Sequence, residues 1–258
     1  VKGDRACGIL RVRGSMRYAA LSDVHGNLEA LEAVLQDASQ QGARGFLCLG
    51  DFVGYGPDPN ACVETLRPQL SAALVGNHDL AALGRLDARR FNLFARVALE
   101  WTREQLSATV RAYLERLKPR EEFEGVLLVH ASPQDPVQEY ILDWETADDN
   151  FRAAEFSLCL FGHTHVPVRF AHDGHRTYVF LLPANTPVRL EPDFRHLVNV
   201  GSVGQPRDGD PRAAYVLWDS EEGTVELRRV PYPVEAVQAK MQRKGLPRPL
   251  WERLGEGR

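Results

Sequence analysis

Five times between Asp23 and His165, a short apolar run is followed at once by histidine, aspartate or asparagine. Arg17–Ser22 (RYAALS) leads into Asp23-Val-His25, and Gly45–Leu49 leads into Gly50-Asp51. Ser71–Val75 leads into Gly76-Asn77-His78-Asp79, Gly125–Val129 (GVLLV) into His130, and Ser157–Phe161 into Gly162-His163-Thr164-His165. Short continuous apolar runs read as buried strands. Ligand-type residues repeated at their ends constrain the fold strongly, because open α/β sheets bind ligands outside the carboxyl ends of their strands.

The segments between these runs alternate with them. Asn27–Gln41 carries Leu28, Leu31, Val34, Leu35 and Ala38 at helical spacing, and Pro59–Leu66 reads as a second helix. Strand–helix–strand units of this length predict parallel pairing. Leu80–Leu117 reads as wholly helical, with one apolar face through Phe91, Phe94, Ala95, Ala98 and Trp101 and another through Leu106, Val110, Tyr113, Leu114 and Leu117. Thr146–Ala154 is a further short helix, and Val234–Arg243 a final amphipathic one. After Glu155 the chain turns to short β runs: Ser157–Phe161, Val166–Ala171, Thr177–Leu182, Leu197–Val200, Ala213–Trp218 and Thr224–Val230. The Asp-Gly within His172–His175 reads as a hairpin turn. Together these predict an α/β chain with two sheets packed face to face and helices outside.

With 258 residues, 44% of them hydrophobic, the chain can bury the core of one large domain. That domain is predicted over residues 16–258, with 80–118 as a helical insert able to cap the site. Residues 1–15 are basic but lack the apolar region of a signal peptide. They read as a disordered extension, with Met16 as the natural start; native protein beginning at Val1 would contradict this. The net charge of −4 and the absence of a basic run speak against an extended nucleic-acid surface. No apolar stretch approaches the roughly 20 residues of a membrane span. Cys7, Cys48, Cys62 and Cys159 are scattered without a CxxC pair, which predicts free thiols in a reducing, cytoplasmic setting. His172, His175 and His196 fall in turn-like or strand-edge contexts and are expected at the surface. The sequence is silent on oligomeric state.

Taken singly, each motif has an ordinary explanation. Asp-x-His is often a cap or loop network, Gly-Asp is mostly a turn, and a lone histidine is mostly a hydrogen-bonded one. All five in succession, each behind an apolar strand, point to one centre for two divalent cations. Imidazole suits zinc, iron, nickel and manganese, and carboxylate suits manganese and magnesium, so manganese is expected first, with iron, zinc or nickel compatible. Asp23 and His25 are two apart, as are His163 and His165, so each pair can turn toward one point from an extended segment. Two ions about 3.5–4 Å apart need a bridging carboxylate. Asp51 is the candidate, since Gly50 before it allows close backbone approach. Two divalent ions against Asp23 and Asp51 leave the site positive, which attracts a phosphate ester and acidifies a bound water.

In these motifs the chain resembles the calcineurin-like metallophosphoesterase superfamily. The matching segments are Asp23-Val-His25-Gly26-Asn27, Gly50-Asp51-Phe52-Val53-Gly54-Tyr55-Gly56, Gly76-Asn77-His78-Asp79, Val129-His130 and Gly162-His163-Thr164-His165. The later stretch from Asn199 to Asp208 is similar to a segment of the small prokaryotic phosphodiesterase branch, with Val200 where relatives often carry proline. The resemblance implies a four-layer α/β/β/α sandwich of two mixed sheets with flanking helices. It implies one metal on Asp23, His25, Asp51 and His165, and the other on Asp51, Asn77, His130 and His163. It makes His78 the general acid and Asp79 the residue that orients it. Asn27 and Arg207 are the expected substrate contacts, Arg207 by its place in the chain alone. The implied reaction is hydrolysis of a small phosphoester or nucleotide by metal-bound hydroxide. A phosphodiesterase is expected first, ahead of a pyrophosphohydrolase of the diadenosine tetraphosphatase kind or a protein phosphatase. The reading from another class is a metal-bearing scaffold for protein partners.

Overall fold

The computed structural model describes residues 16–258; the expected extension and Cys7 lie outside the described residues. The first sheet runs in the order β3-β2-β1-β11-β12-β9. Its strands are β1 (Arg17–Leu21), β2 (Gly45–Cys48), β3 (Leu70–Ala73), β9 (Pro187–Arg189), β11 (Ala213–Asp219) and β12 (Thr224–Val230). The second runs β4-β5-β6-β10-β7-β8. It contains β4 (Arg120–Phe123), β5 (Val126–Val129), β6 (Leu158–Phe161), β7 (Val168–His172), β8 (Thr177–Phe180) and β10 (Arg195–Asn199). Both sheets are mixed. β1, β2 and β3 are mutually parallel, as are β5, β6 and β10, and the remaining pairs are antiparallel.

Alternation along the strands explains the layering. In β6, Leu158 and Leu160 point into an apolar cluster shared with Ala20, Leu47, Val198, Val216 and Leu227, which belong to strands of both sheets. That cluster is the seam between the sheets. The alternate residues Cys159 and Phe161 face outward, against Ala147 and Phe151 of α6 (Trp144–Ala153). On the far side, Ala19 and Leu21 of β1 pack against α1 (Leu28–Gln40) and α2 (Pro59–Leu66) through Leu31, Val34, Cys62 and Val63. The result is the expected four-layer α/β/β/α sandwich. A fourth cluster joins α4 (Leu93–Gln105) to α7 (Val234–Arg243) and α8 (Arg248–Glu252) through Ala95, Ala98, Val237, Met241 and Leu250.

Several expectations need correction. The stretch predicted as wholly helical is broken into α3 (Asn77–Ala82), a 3-10 turn at Ala88–Arg90, α4 and α5 (Ala108–Leu114). α3 therefore opens on Asn77, three residues before the predicted helical stretch, so Asn77, His78 and Asp79 form its first turn. β4, β9 and α8 were not expected. His196 is buried in β10, its Nε2 bonded to the Glu191 carbonyl at 3.0 Å; only His175 is fully exposed, while His172 is half-buried. The hairpin turn forms as read, with the Asp173 carboxylate accepting from the amides of His175 and Arg176 at 2.8 Å each. Cys48, Cys62 and Cys159 are free and buried. Among the described residues no helix is long and apolar enough to cross a membrane.

Candidate metal centre

The two parallel sets of strands carry the site. Asp23 and His25 follow β1, Asp51 follows β2 and Asn77 follows β3, while His130 follows β5 and His163 and His165 follow β6. Backbone bonds weave these loops together. The amides of Asp23, His25 and Gly26 donate to the carbonyls of Gly50, Asp51 and Phe52 at 2.9–3.1 Å, and Gly162 donates to His130 at 2.9 Å. The segment after β10 seals the other side. Gly204 donates to the Asp23 carbonyl at 2.9 Å, as does the Ser202 hydroxyl.

This weave holds an unusual backbone. Asp23, His25, Asp51, His163 and His165 all lie in the left-handed region, with φ of 50–65°. A non-glycine residue there costs on the order of 1–3 kcal/mol, and it persists only where its surroundings over-determine it. Five of the seven expected ligands share the feature, which turns their side chains inward from short loops. Gly76 gives the room Asp51 needs. A Cβ there would lie 2.0 Å from Asp51 Oδ1 and 2.5 Å from its backbone nitrogen.

All seven expected ligands converge and are buried. His25 Nε2 lies 3.1 Å from His165 Nε2, which in turn lies 3.2 Å from Asp23 Oδ1. Asp51 Oδ2 lies 3.5 Å from His130 Nε2 and 3.7 Å from His25 Nε2. His130 Nε2 lies 2.9 Å from Asn77 Oδ1. The opposite ring nitrogens settle the tautomers. Nδ1 of His25, His130 and His165 donates to the carbonyls of Val53, Leu49 and Gln205 at 3.2, 3.0 and 2.6 Å. Their Nε2 lone pairs therefore point inward. His163 is reversed: Nε2 donates to the Gln138 carbonyl at 3.2 Å, which makes Nδ1 its acceptor nitrogen.

The cluster is thus a set of acceptors facing acceptors. Two buried oxygens, Asp23 Oδ1 and Asp51 Oδ2, have no hydrogen-bond partner among the described residues, while their sister oxygens accept from His163 N at 3.0 Å and His78 N at 2.8 Å. Burial, and then the carboxylates of Asp79 and Asp23, push Asp51 well above the usual carboxylate range. Burial likewise pushes His25, His130 and His165 below the usual imidazole range, and His163 down to about 3. The histidines are therefore neutral, and a proton on them cannot relieve the facing lone pairs. A cation can. Three overlapping His/Asp groups have ligand atoms close enough to hold one: Asp23, His25 and His165; His25, Asp51 and His78; and Asp23, Asp51 and His130.

His78 sits beside this cluster in an aromatic cage, its ring 4.5 Å from Tyr55 and 4.8 Å from both His25 and Phe91. Burial and then the Arg207 guanidinium push its imidazole well below the usual range. Asp79 does not orient it, contrary to expectation, and His78 Nδ1 has no hydrogen-bond partner among the described residues. Both Asp79 oxygens are already taken: Oδ2 by the amides of Asp51 at 2.8 Å and Gly76 at 3.0 Å, Oδ1 by Val53 at 3.1 Å. Burial nevertheless pushes Asp79 up to about 7. Asn27 is a second correction. It caps α1, accepting from Ala30 N at 3.1 Å, and its amide donates to the Gly204 carbonyl at 3.0 Å, which gives it a structural role.

A cavity of about 350 Å³ opens at His78, Asn77 and His163. Arg207 lines it. So do Tyr55, Arg90, Phe91, Gln138, Tyr140 and Arg253, none of which the sequence reading had proposed for the site. Tyr55 lies inside the Gly50–Gly56 motif and could have been flagged there. Arg253 carries no motif signal.

Two facing mixed sheets thus carry this acceptor cluster over their strand ends. The model of the calcineurin-like phosphoesterase superfamily domain matches residues 16–223, and the chain belongs to that family. Members are hydrolases of phosphoesters that bind divalent metals. An uncharacterized protein of Methanocaldococcus jannaschii is 37% identical over 245 residues, covering 93% of this chain and 98% of that one. A metallophosphoesterase from Sphaerobacter thermophilus superposes with a TM-score of 0.85 at 40% identity, covering 95% of this chain and all of that one. A hypothetical protein from Pyrococcus horikoshii shares the fold with a TM-score of 0.76 at 20% identity, covering 94% and 99% of the two chains.

Proposed function

We propose that the protein is a dinuclear-metal phosphodiesterase acting on a small phosphoester, with manganese as its metal. Asp23, His25, Asp51 and His165 would hold one ion, and Asp51, Asn77, His130 and His163 the other, with Asp51 bridging. The observation that carries this reading is the pair of buried, partnerless oxygens Asp23 Oδ1 and Asp51 Oδ2 among inward-facing imidazole lone pairs. The donor set of histidine, carboxylate and amide without thiolate fits divalent manganese or a similar ion. When bound, the two ions supply Lewis acidity toward the phosphoryl oxygens and lower the pKa of a water.

The chain's own residues do the rest. Arg207 presents a guanidinium to the anionic substrate from the cavity wall. The cage of Tyr55 and Phe91 holds the His78 ring at the cavity. With the anionic ester bound, His78 takes a proton from solvent, donates its N–H to the leaving oxygen and delivers that proton as the ester bond breaks.

Manganese-loaded protein should hydrolyse bis(p-nitrophenyl) phosphate faster than p-nitrophenyl phosphate. Turnover of the monoester alone would replace the diesterase reading with a phosphatase. No turnover of either with manganese, iron, zinc or nickel would favour a metal-bearing scaffold for protein partners.

A further inference from the structure

We infer that Arg207 and Arg253 form a second anion subsite, so that the substrate carries a phosphoryl group beyond the one at the metal centre. The inference rests on the phosphoesterase reading for the first phosphate and adds the second. Three guanidiniums, of Arg90, Arg207 and Arg253, line the cavity beside His78, and no carboxylate lines it. Other well-buried arginines, Arg169, Arg228 and Arg229, each face an aspartate or glutamate. Arg207 and Arg253 face none among the described residues. Instead Nη2 of Arg207 and Nη1 of Arg253 both donate to one neutral oxygen, Gln205 Oε1, at 2.9 and 3.4 Å. Arg207 Nε is buried without a partner. Two like charges converging on one amide oxygen, with a donor left over, form a fork for a dianion.

Arg253 is held in place. Leu250 and Leu254 pack with Tyr55, Val237 and Met241, Gln238 donates to the Trp251 carbonyl at 2.9 Å, and Gly209 N donates to the Gly257 carbonyl at 2.9 Å. A Cβ at Gly257 would lie 2.6 Å from backbone atoms of Asp210, so the end of the chain is seated directly on the loop that bears Arg207. This clasp follows residue 223, where the match to the family model ends. Arg253 thus comes from the segment beyond that match, and Arg207 from within it. The cavity of about 350 Å³ has room for more than one phosphate.

Calorimetry on manganese-loaded protein tests the inference with AMP, ADP and adenosine 3′,5′-bisphosphate as probes. ADP places the second phosphoryl group in a chain, and the bisphosphate places it across the sugar. At least one of the two should bind about tenfold tighter than AMP, the worth of one charge-assisted contact. Arg253→Gln should cut that advantage to about twofold or less, the loss expected when the fork is halved. Arg248→Gln, an exposed arginine paired with Glu252, is the control and should keep it. Melting temperatures of both variants establish that they are folded. Equal affinity for all three probes in the unaltered protein, or an undiminished advantage in folded Arg253→Gln, would overturn the subsite. If bis(p-nitrophenyl) phosphate is not hydrolysed but this binding pattern holds, the diesterase reading falls and the subsite stands.

Discussion

Replacing Asp79 by asparagine separates two roles for a residue next to the general acid. In the structure its carboxylate is a buttress, accepting the amides of Asp51, Val53 and Gly76 inside a fully buried pocket. Asparagine has one oxygen. In its better orientation that oxygen keeps Asp51 and Gly76, and its NH₂ group faces the Val53 N–H donor to donor. One buried amide is orphaned, at about 1–3 kcal/mol, and two bonds lose their charge assistance. The neutral amide is easier to bury, which returns part of this. A net loss of about 2–4 kcal/mol follows, or roughly 5–15 °C in melting temperature for a chain of this size. The assay is thermal denaturation of metal-free protein, so that ion binding does not mask the loss, followed by manganese uptake. Because the buttressed loop carries Asp51, uptake should fall as well. An Asp79→Asn protein that melts within about 2 °C of the original, smaller than one orphaned amide allows, would refute the buttress. If it also loaded manganese normally and slowed only on esters with poor leaving groups, Asp79 would be acting on His78 after all.

Three further perturbations follow from the same structure. His78→Ala should keep its metal content by elemental analysis and lose about 10²–10⁴ in kcat on esters with poor leaving groups, with a smaller loss on p-nitrophenyl esters. Gly76→Ala, at a position of ordinary φ, should be driven off Asp51 by sterics alone. We expect at least about 1–3 kcal/mol of destabilisation and weakened manganese binding, read by denaturation and calorimetry. Asp37 ties α1 to β11 and β12, accepting from Tyr215 at 2.6 Å and from two nitrogens of Arg228 at 2.9 and 3.1 Å. Burial raises its pKa, but the Arg228 and Tyr215 bonds outweigh burial and hold it below the usual range. A depressed carboxylate stabilises above its unfolded pKa and loses that stabilisation as the pH falls through its folded one. Asp37→Asn should therefore be less stable at pH 7 by about 1 kcal/mol, discounted for its partial exposure, with the gap closing below about pH 4. A gap that widens in acid would contradict the assignment.

The layers and the metal cluster were legible because strands buried on both faces read as unbroken apolar runs, and their ends announce the ligands. What escaped has physical reasons. β4 (REEF) is a charged edge strand with no buried face to pattern it, and β9 is a three-residue edge strand that begins with proline. The start of α3 at Asn77 escaped because its apolar positions, Ala81 and Ala82, come after the polar turn. The order of the sheets places β10 between β6 and β7, and β11 beside β1, through pairings between distant segments that no local pattern records. His196 looked peripheral, since its sequence neighbours do not reveal that β10 is an inner strand. The left-handed backbone at Asp23, His25, Asp51, His163 and His165 is imposed by bonds between loops, against each residue's own preference. Asp79 and Asn27 were assigned by position in a motif. Their roles depend on where three and two hydrogen bonds go, respectively, which only the fold decides.

The bridge at Asp51 is the point on which the chemistry depends, and elemental analysis of manganese-loaded protein addresses it directly. Unaltered protein should hold about two ions per chain, as a bridged pair requires. Asp51→Asn should lose both ions and the hydrolysis of bis(p-nitrophenyl) phosphate together, because each ion shares that one carboxylate. An Asp51→Asn protein that keeps both ions, or keeps full activity without them, would contradict the bridged centre.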